Sequence, residues 1–225
     1  MYKATNEYVF DRIYDSIKSL VVSGQLAEGE RLNIEKLALQ FDVSTSPVRE
    51  VLNRLVAEDL IDMTPKIGFF TKHITETDVR DLLELNQILL GWSLEYAQQP
   101  QAIADLKDPS LFSHGTGNAS SDNPSSATKL VITIAALFTH IAAQSGNRKI
   151  IQIVRHINDR LFYLRRREYD HMEISADEMP RLIELCHERN FKGLEAALKA
   201  YHDLRSALLP QLLKRLRLAP ETGGK

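Results

Sequence analysis

Residues 35–60, EKLALQFDVSTSPVREVLNRLVAEDL, constrain the fold of this chain more than any other stretch. Leu37, Ala38 and Phe41 place apolar side chains on one face of a short helix, and Asp42-Val43 make a turn. Ser44 or Ser46 can cap a second helix, with Pro47 tolerated in its first turn, where the amide it lacks would be unpaired anyway. Val48, Val51, Leu52 and Leu55 then recur at helical spacing as one buried face. Thr45, Ser46, Arg49, Glu50 and Asn53 are left facing outward near the helix start. Two short helices with a tight turn between them form a helix-turn-helix, whose usual target is a groove of duplex DNA. Free amides at the second helix's N-terminus suit a phosphate, and an arginine at position 49 can reach a guanine edge through two hydrogen bonds.

The flanking sequence extends this element into a small domain. LIDMT (60–64) alternates apolar and polar residues, PKIG (65–68) is turn chemistry, and FFTKHI (69–74) is apolar and β-prone. The pattern predicts a hairpin, a wing placed directly after the second helix. Upstream, Val9, Ile13, Ile17, Leu20 and Val21 predict a helix over 7–23, stopped by Gly24.

The string GQLAEGERLNIEKLALQFDVSTSPVREVLNRLVAEDLI resembles the DNA-binding domain of GntR-type bacterial transcription regulators. The resemblance covers roughly residues 8–74. It rests on Gly24, Gly29, Arg31-Leu32, Leu37-Ala38, Val43-Ser44, Pro47-Val48-Arg49-Glu50, Leu52 and Leu55. It implies that Arg31, Ser46, Arg49 and the wing-tip Gly68 touch DNA, with Thr45 on the same face. Thr45 stands where such regulators usually carry arginine, and Ile67 where the wing often does, so the operator sequence is not transferable. The charge is also unusual for a DNA-binding unit. The chain's net charge is −2, and its first 74 residues hold nine Lys/Arg against eleven Asp/Glu. Phosphate neutralisation supplies most non-specific affinity, so non-specific binding is expected to be modest and salt-sensitive.

Beyond residue 74 the chain reads as helix after helix. Segments are expected over 75–98, 127–144, 148–170, 177–188 and 191–218, forming an antiparallel bundle. Residues 108–126, rich in Gly, Ser, Asn and Pro, read as a flexible loop inserted in that domain. The expected fold class is therefore mainly α: a winged helix-turn-helix with a small β-hairpin over 1–74, and an antiparallel helical bundle over 75–225. Leu194, Leu198, Leu204, Leu208, Leu209, Leu212, Leu213 and Leu216 put more apolar surface on the last helix than one bundle needs, which suggests a homodimer.

LFTHIAAQSGN (137–147) and the junction at Arg189-Asn190 resemble the all-helical effector domain, of FCD type, in the FadR subfamily of GntR regulators. That resemblance implies a small carboxylate effector and, in many members, a divalent metal held by one aspartate and three histidines. Aligned on Ser145-Gly146-Asn147 and on Arg189-Asn190, these four ligands fall on Ile134, Phe138, Met179 and Tyr201. None is a hard-cation ligand, Tyr201 weakly excepted, so no metal and no cofactor is expected. His140, His187 and His202 lie one or two positions away, a rotation of about 100° or 200° on a helix. The four residues instead suggest an apolar effector pocket with one hydroxyl. Such a pocket suits a long-chain or aromatic acid whose charged end stays at the mouth, because burying a bare carboxylate is costly. A filled cavity without an effector is the alternative.

Other chemistries lack their signatures: there is no Gly-rich phosphate loop, G-x-S-x-G, H-E-x-x-H or C-x-x-C, and no enzyme is expected. Arg165-Arg166-Arg167 reads as a solvated basic face, and the carboxylates lie among lysines and arginines rather than in apolar strings. Cys186 reads as a small buried hydrophobe in a reducing compartment. With no long apolar run and no leader pattern, the reading is cytoplasmic and free of membrane. The sequence thus reads as a dimeric regulator on an inverted-repeat DNA operator, tuned by a small organic or fatty acid. It leaves open whether the protein represses or activates, and keeps two alternatives: a regulator without small-molecule sensing, and a helical protein-interaction module.

Overall fold

The computed structural model describes residues 2–97, 125–172 and 177–218. They form two compact units, the first ending at Ile74 and the second beginning at Thr75. The fold is mainly helical, with one small antiparallel sheet in the first unit.

In the first unit, α1 spans Tyr2–Val22, starting before the expected residue 7, and Gly24 follows it at φ +68°. The helix-turn-helix is α2 (Ile34–Gln40) and α3 (Thr45–Ala57). Asn33 caps α2 by accepting a hydrogen bond from the Lys36 amide at 2.9 Å. Asp42 turns the chain at φ +53°, and the Val43 amide bonds back to the Ala38 carbonyl. Ser44 occupies the cap position of α3 but its side chain makes no cap bond, a correction to the expected serine cap. Val48, Val51, Leu52 and Leu55 are fully buried, contributing roughly 1.5–3 kcal/mol each relative to exposure.

The wing differs from a simple hairpin. β2 (Ile61–Thr64) and β3 (Gly68–Thr71) pair antiparallel, and β1 (Arg31–Leu32) pairs with the other edge of β3. The strand order β1-β3-β2 makes β3 central. β3 also ends at Thr71 rather than at 74. Two residues are too few for any periodicity to announce β1; its pairing comes from tertiary closure. A second link anchors α1: Arg54 stacks on the Tyr14 ring (3.9 Å to its centroid) and pairs with Glu58, which accepts a hydrogen bond from Tyr14 Oη at 2.5 Å.

The second unit packs α4 (Glu76–Glu95), α5 (Ser126–Gln144), α6 (Arg148–His171), α7 (Glu178–His187) and α8 (Phe191–Leu218) around one core. Thr75, Ser125 and Asn147 cap α4, α5 and α6 through side-chain oxygens. The expected loop over 108–126 falls mostly outside the described residues; its last two residues are corrected, since Ser125 is the cap and Ser126 the first residue of α5. α5 is long and apolar enough to suit a bilayer by composition alone. In this chain it packs into the helical core, with Ile134, Leu137, Phe138 and Ile141 fully buried. Cys186 is buried, and burial pushes its thiol up to about 11, which keeps it protonated and unreactive.

The argument for surplus leucines on the last helix does not hold. Leu194, Leu198, Leu209, Leu212 and Leu213 are buried within the chain's own core, and Leu204 alone of the eight is well exposed. An exposed apolar stripe lies instead on α4 and its C-cap: Leu85, Ile88 and Trp92, then Tyr96, with the last two rings stacked at 4.6 Å.

Candidate functional site

Two groups of side chains stand out, one in each unit. On the first unit, Thr45, Ser46 and Arg49 all lie exposed on the first two turns of α3. Arg31 is exposed at the edge of the sheet, and its Nη2 donates to the Ile67 carbonyl at 2.7 Å. That bond ties the guanidinium to the wing turn. Gly68 follows at φ +142°, where a Cβ would come within 3.3 Å of Arg31 Nε. Glycine therefore serves here both for its conformation and for the close approach of the arginine. Lys66, at φ +65° in the same turn, is exposed beside Ile67. The sequence reading did not single it out, although PKIG already placed a lysine at the tip.

On the second unit, Ile134, Phe138, Met179 and Tyr201 are all buried in one core cluster, with the Phe138 and Tyr201 rings edge to face at 5.3 Å. The expectation of apolar surroundings with a single hydroxyl needs correction, because charged groups are buried against this cluster. Arg165, from α6, places its guanidinium 5.1 Å from the Phe138 ring centroid, and Nη1 donates to Asn158 Oδ1 at 2.8 Å. It is 3% exposed, so the solvated basic face expected for 165–167 fails at its first residue. Arg205, from α8, lies over the Tyr201 ring at 3.6 Å. It holds Glu178 through two hydrogen bonds (2.5 and 2.6 Å) and Glu168 as an ion pair at 3.4 Å, and its Nη2 donates to the Tyr169 hydroxyl at 3.1 Å.

The electrostatics follow from burial. Burial opposes the charge on Arg205, but Tyr201, Glu178 and Glu168 outweigh it and its pKa is raised. Burial raises the Glu168 carboxyl, against the pull of Arg205 and Arg165. Tyr201 is raised by burial as well. His202 falls to about 4, through burial first and the two arginines second. Its Nδ1 lies 2.7 Å from the Leu198 carbonyl and so carries the proton, which leaves Nε2 to accept from Asn86 Nδ2 at 3.0 Å.

A divalent metal does not fit this cluster. Four positions that would supply ligands hold Ile, Phe, Met and a protonated Tyr. His202 was expected to rotate out of the cluster; it is buried instead, its ring 5.7 Å from Phe138, because α8 buries a broad face. Its free nitrogen is nevertheless occupied by Asn86, and two guanidinium groups nearby repel a cation. Among the described residues, no three His, Cys, Asp or Glu side chains converge on one point.

Arg165, Glu168, Arg205, Asn86 and His202 were missed as a group by the sequence reading. A signal was present. Val154, Ile157, Leu161 and Leu164 set the buried face of α6, and Arg165 and Glu168 continue it at helical spacing; Arg205 does the same among the leucines of α8. A charge in register with an apolar face marks a buried ion.

Residues 10–71 match the family model described as bacterial regulatory proteins of the gntR family. Among similar proteins, the Nta operon transcriptional regulator of Aminobacter aminovorans is 28% identical over 173 residues, 76% of this chain and 80% of that protein. The HTH-type transcriptional regulator YdhC of Bacillus subtilis is 24% identical over 202 residues, 85% of this chain and 88% of that one. A GntR transcriptional regulator from Rhodococcus sp. RHA1 shares the fold, with a TM-score of 0.66 at 16% identity, over 91% of this chain and 97% of that structure.

Proposed function

We propose that this chain is a DNA-binding transcription regulator of the GntR family, because residues 10–71 match that family's model and fold as a winged helix-turn-helix. The observation that carries the reading is the exposed face of Thr45, Ser46 and Arg49 on α3, beside a wing turn that fixes Arg31. The unused amides at the start of α3 take a backbone phosphate, since no serine side chain occupies them. Arg49 reads a base edge in the major groove, Ser46 and Thr45 contact the neighbouring backbone, and Arg31 follows the wing turn at Gly68. Lys66 supplies a phosphate contact where Ile67 cannot.

Residues 1–74 are the DNA-binding domain in this reading, and 75–225 the effector and dimerisation domain, of the FadR subfamily. The protein acts in the cytoplasm and is not an enzyme. An inverted-repeat operator calls for a two-fold protein. The stripe of Leu85, Ile88, Trp92 and Tyr96 on α4 and its C-cap is the dimer surface, taking over the role expected of the last helix. A small acidic effector bound against Phe138, Ile134, Met179 and Tyr201 controls DNA affinity by favouring one spacing of the two recognition helices. Electrophoretic mobility shift on the chain's own upstream DNA tests the reading. Specific retardation, abolished by competitor operator but not by random duplex, is expected; equal affinity for both sequences overturns it.

A further inference from the structure

We propose that Asn53 is a second base-reading residue of α3, taking an adenine edge in the major groove beside the guanine read by Arg49. The inference rests on the DNA-binding reading above and adds a residue and a base identity to it.

Three observations single out Asn53. Ser46, Arg49 and Asn53 recur at i, i+3 and i+7 and are all exposed, so they form one stripe along α3, turned away from buried Val48, Val51, Leu52 and Leu55. The stripe runs from the helix start, where the uncapped amides lie, through Arg49 to the third turn. Asn53 is also available to a ligand: among the described residues its side chain has no hydrogen-bond partner. Its neighbour Arg54 is engaged, because it pairs with Glu58 at 3.0 Å and lies 3.9 Å from the Tyr14 ring centroid. Finally, the fold makes no use of an asparagine here. Asparagine is a weak helix former, and at this position it neither caps an end of α3 nor bonds back to a carbonyl. Alanine would build the same helix more readily.

The chemistry selects the base. A carboxamide carries a donor and an acceptor side by side. Adenine presents the matching pair in the major groove: its N7 accepts from Asn53 Nδ2, and its N6 amino group donates to Oδ1. Guanine presents two acceptors there, N7 and O6, which suit the guanidinium of Arg49 and leave the oxygen of an asparagine facing another acceptor. Four residues of helix advance about 6 Å, close to two base-pair steps of about 3.4 Å. The adenine is therefore expected within about two base pairs of the guanine in each half-site.

Affinity selection from a duplex library with a randomised central tract tests this, using the full chain and three variants. The parent is expected to enrich a half-site holding both the guanine and the adenine. Asn53→Ala is expected to keep the guanine and lose the preference at the adenine, and Arg49→Ala to do the reverse. Asn53→Gln keeps the carboxamide and is expected to retain part of the adenine preference, which a purely structural role for this residue would not produce. In fluorescence anisotropy, Asn53→Ala is expected to bind the parent's enriched duplex about five- to a hundredfold more weakly, the range for one bidentate base contact. Alanine at this exposed position is expected to melt no earlier than the parent by circular dichroism, so the loss is one of contact and not of fold. Replacing the adenine by 7-deazaadenine removes N7 and keeps the base pair. It is expected to weaken the parent several-fold and to leave Asn53→Ala unchanged. An enriched half-site without the adenine, a half-site unchanged in Asn53→Ala, equal loss of enriched and random duplex in that variant, or a parent indifferent to 7-deazaadenine each overturns the proposal and leaves the regulator reading standing. A parent that enriches no sequence removes the regulator reading and this inference with it.

Discussion

Replacing Arg205 with methionine removes the cation that holds two carboxylates inside the helical domain. The side chains of Arg205 and Glu168 are each 4% exposed and that of Glu178 is 18% exposed, so solvent screens the first pair little. Methionine keeps most of the length and fills the space over Tyr201, so cavity formation is a minor term. The main cost is a carboxylate left buried without its counter-charge, about 3–5 kcal/mol. The pH dependence gives a second, independent signature. Burial already raises Glu168 above its reference value of 4.5, and Arg205 is the strongest influence opposing that rise. A raised carboxyl contributes stability that is fully present below the unfolded pKa and is lost as pH rises through the folded one. Removing Arg205 raises the folded value further, so the variant's deficit is expected to be largest near pH 8 and to narrow toward pH 5. Trp92 is the only tryptophan and lies on α4, so its fluorescence follows urea unfolding of this domain. A deficit below about 1 kcal/mol, or one equal at both pH values, would refute the buried network.

Arg49→Ala is expected to weaken operator binding by about 1–3 kcal/mol while leaving random duplex nearly unaffected; equal retardation of both by parent and variant would remove Arg49 from the interface. His202, held down at about 4 against 6.5 when exposed, stabilises the fold above pH 6.5 and loses that contribution as pH falls toward 4, of order 3 kcal/mol in all; His202→Gln should flatten this limb of a thermal-melt series. Ile88→Asp together with Trp92→Asp is expected to convert a dimer to a folded monomer in light scattering at micromolar concentration. A parent already monomeric would sink the dimer proposal, and a variant still dimeric would move the interface off α4. Tyr14→Phe should cost about 1 kcal/mol in the winged domain, through loss of the bond to partly exposed Glu58; no change in its melting would mean that bond is not formed in solution.

The helix-turn-helix was legible because its information is local. Val48, Val51, Leu52 and Leu55 repeat at helical spacing, Asp42-Val43 break the pattern, and the same turn of chain buries one face and leaves Arg49 outside. The five bundle helices were legible for the same reason, as apolar periods ended by Ser145-Gly146-Asn147 or Arg189-Asn190. What escaped depends on partners far away in the chain. β1 exists only because β3, almost forty positions on, offers it an edge. Arg165 looked like part of a wet basic run until α6 turned it onto Phe138 from α5, and the leucines of α8 looked like a dimer seam until the chain's own helices covered them. Periodicity states which residues share a face. The desolvation cost of a charge on that face, and the partner that offsets it, are settled only when another helix is packed against it.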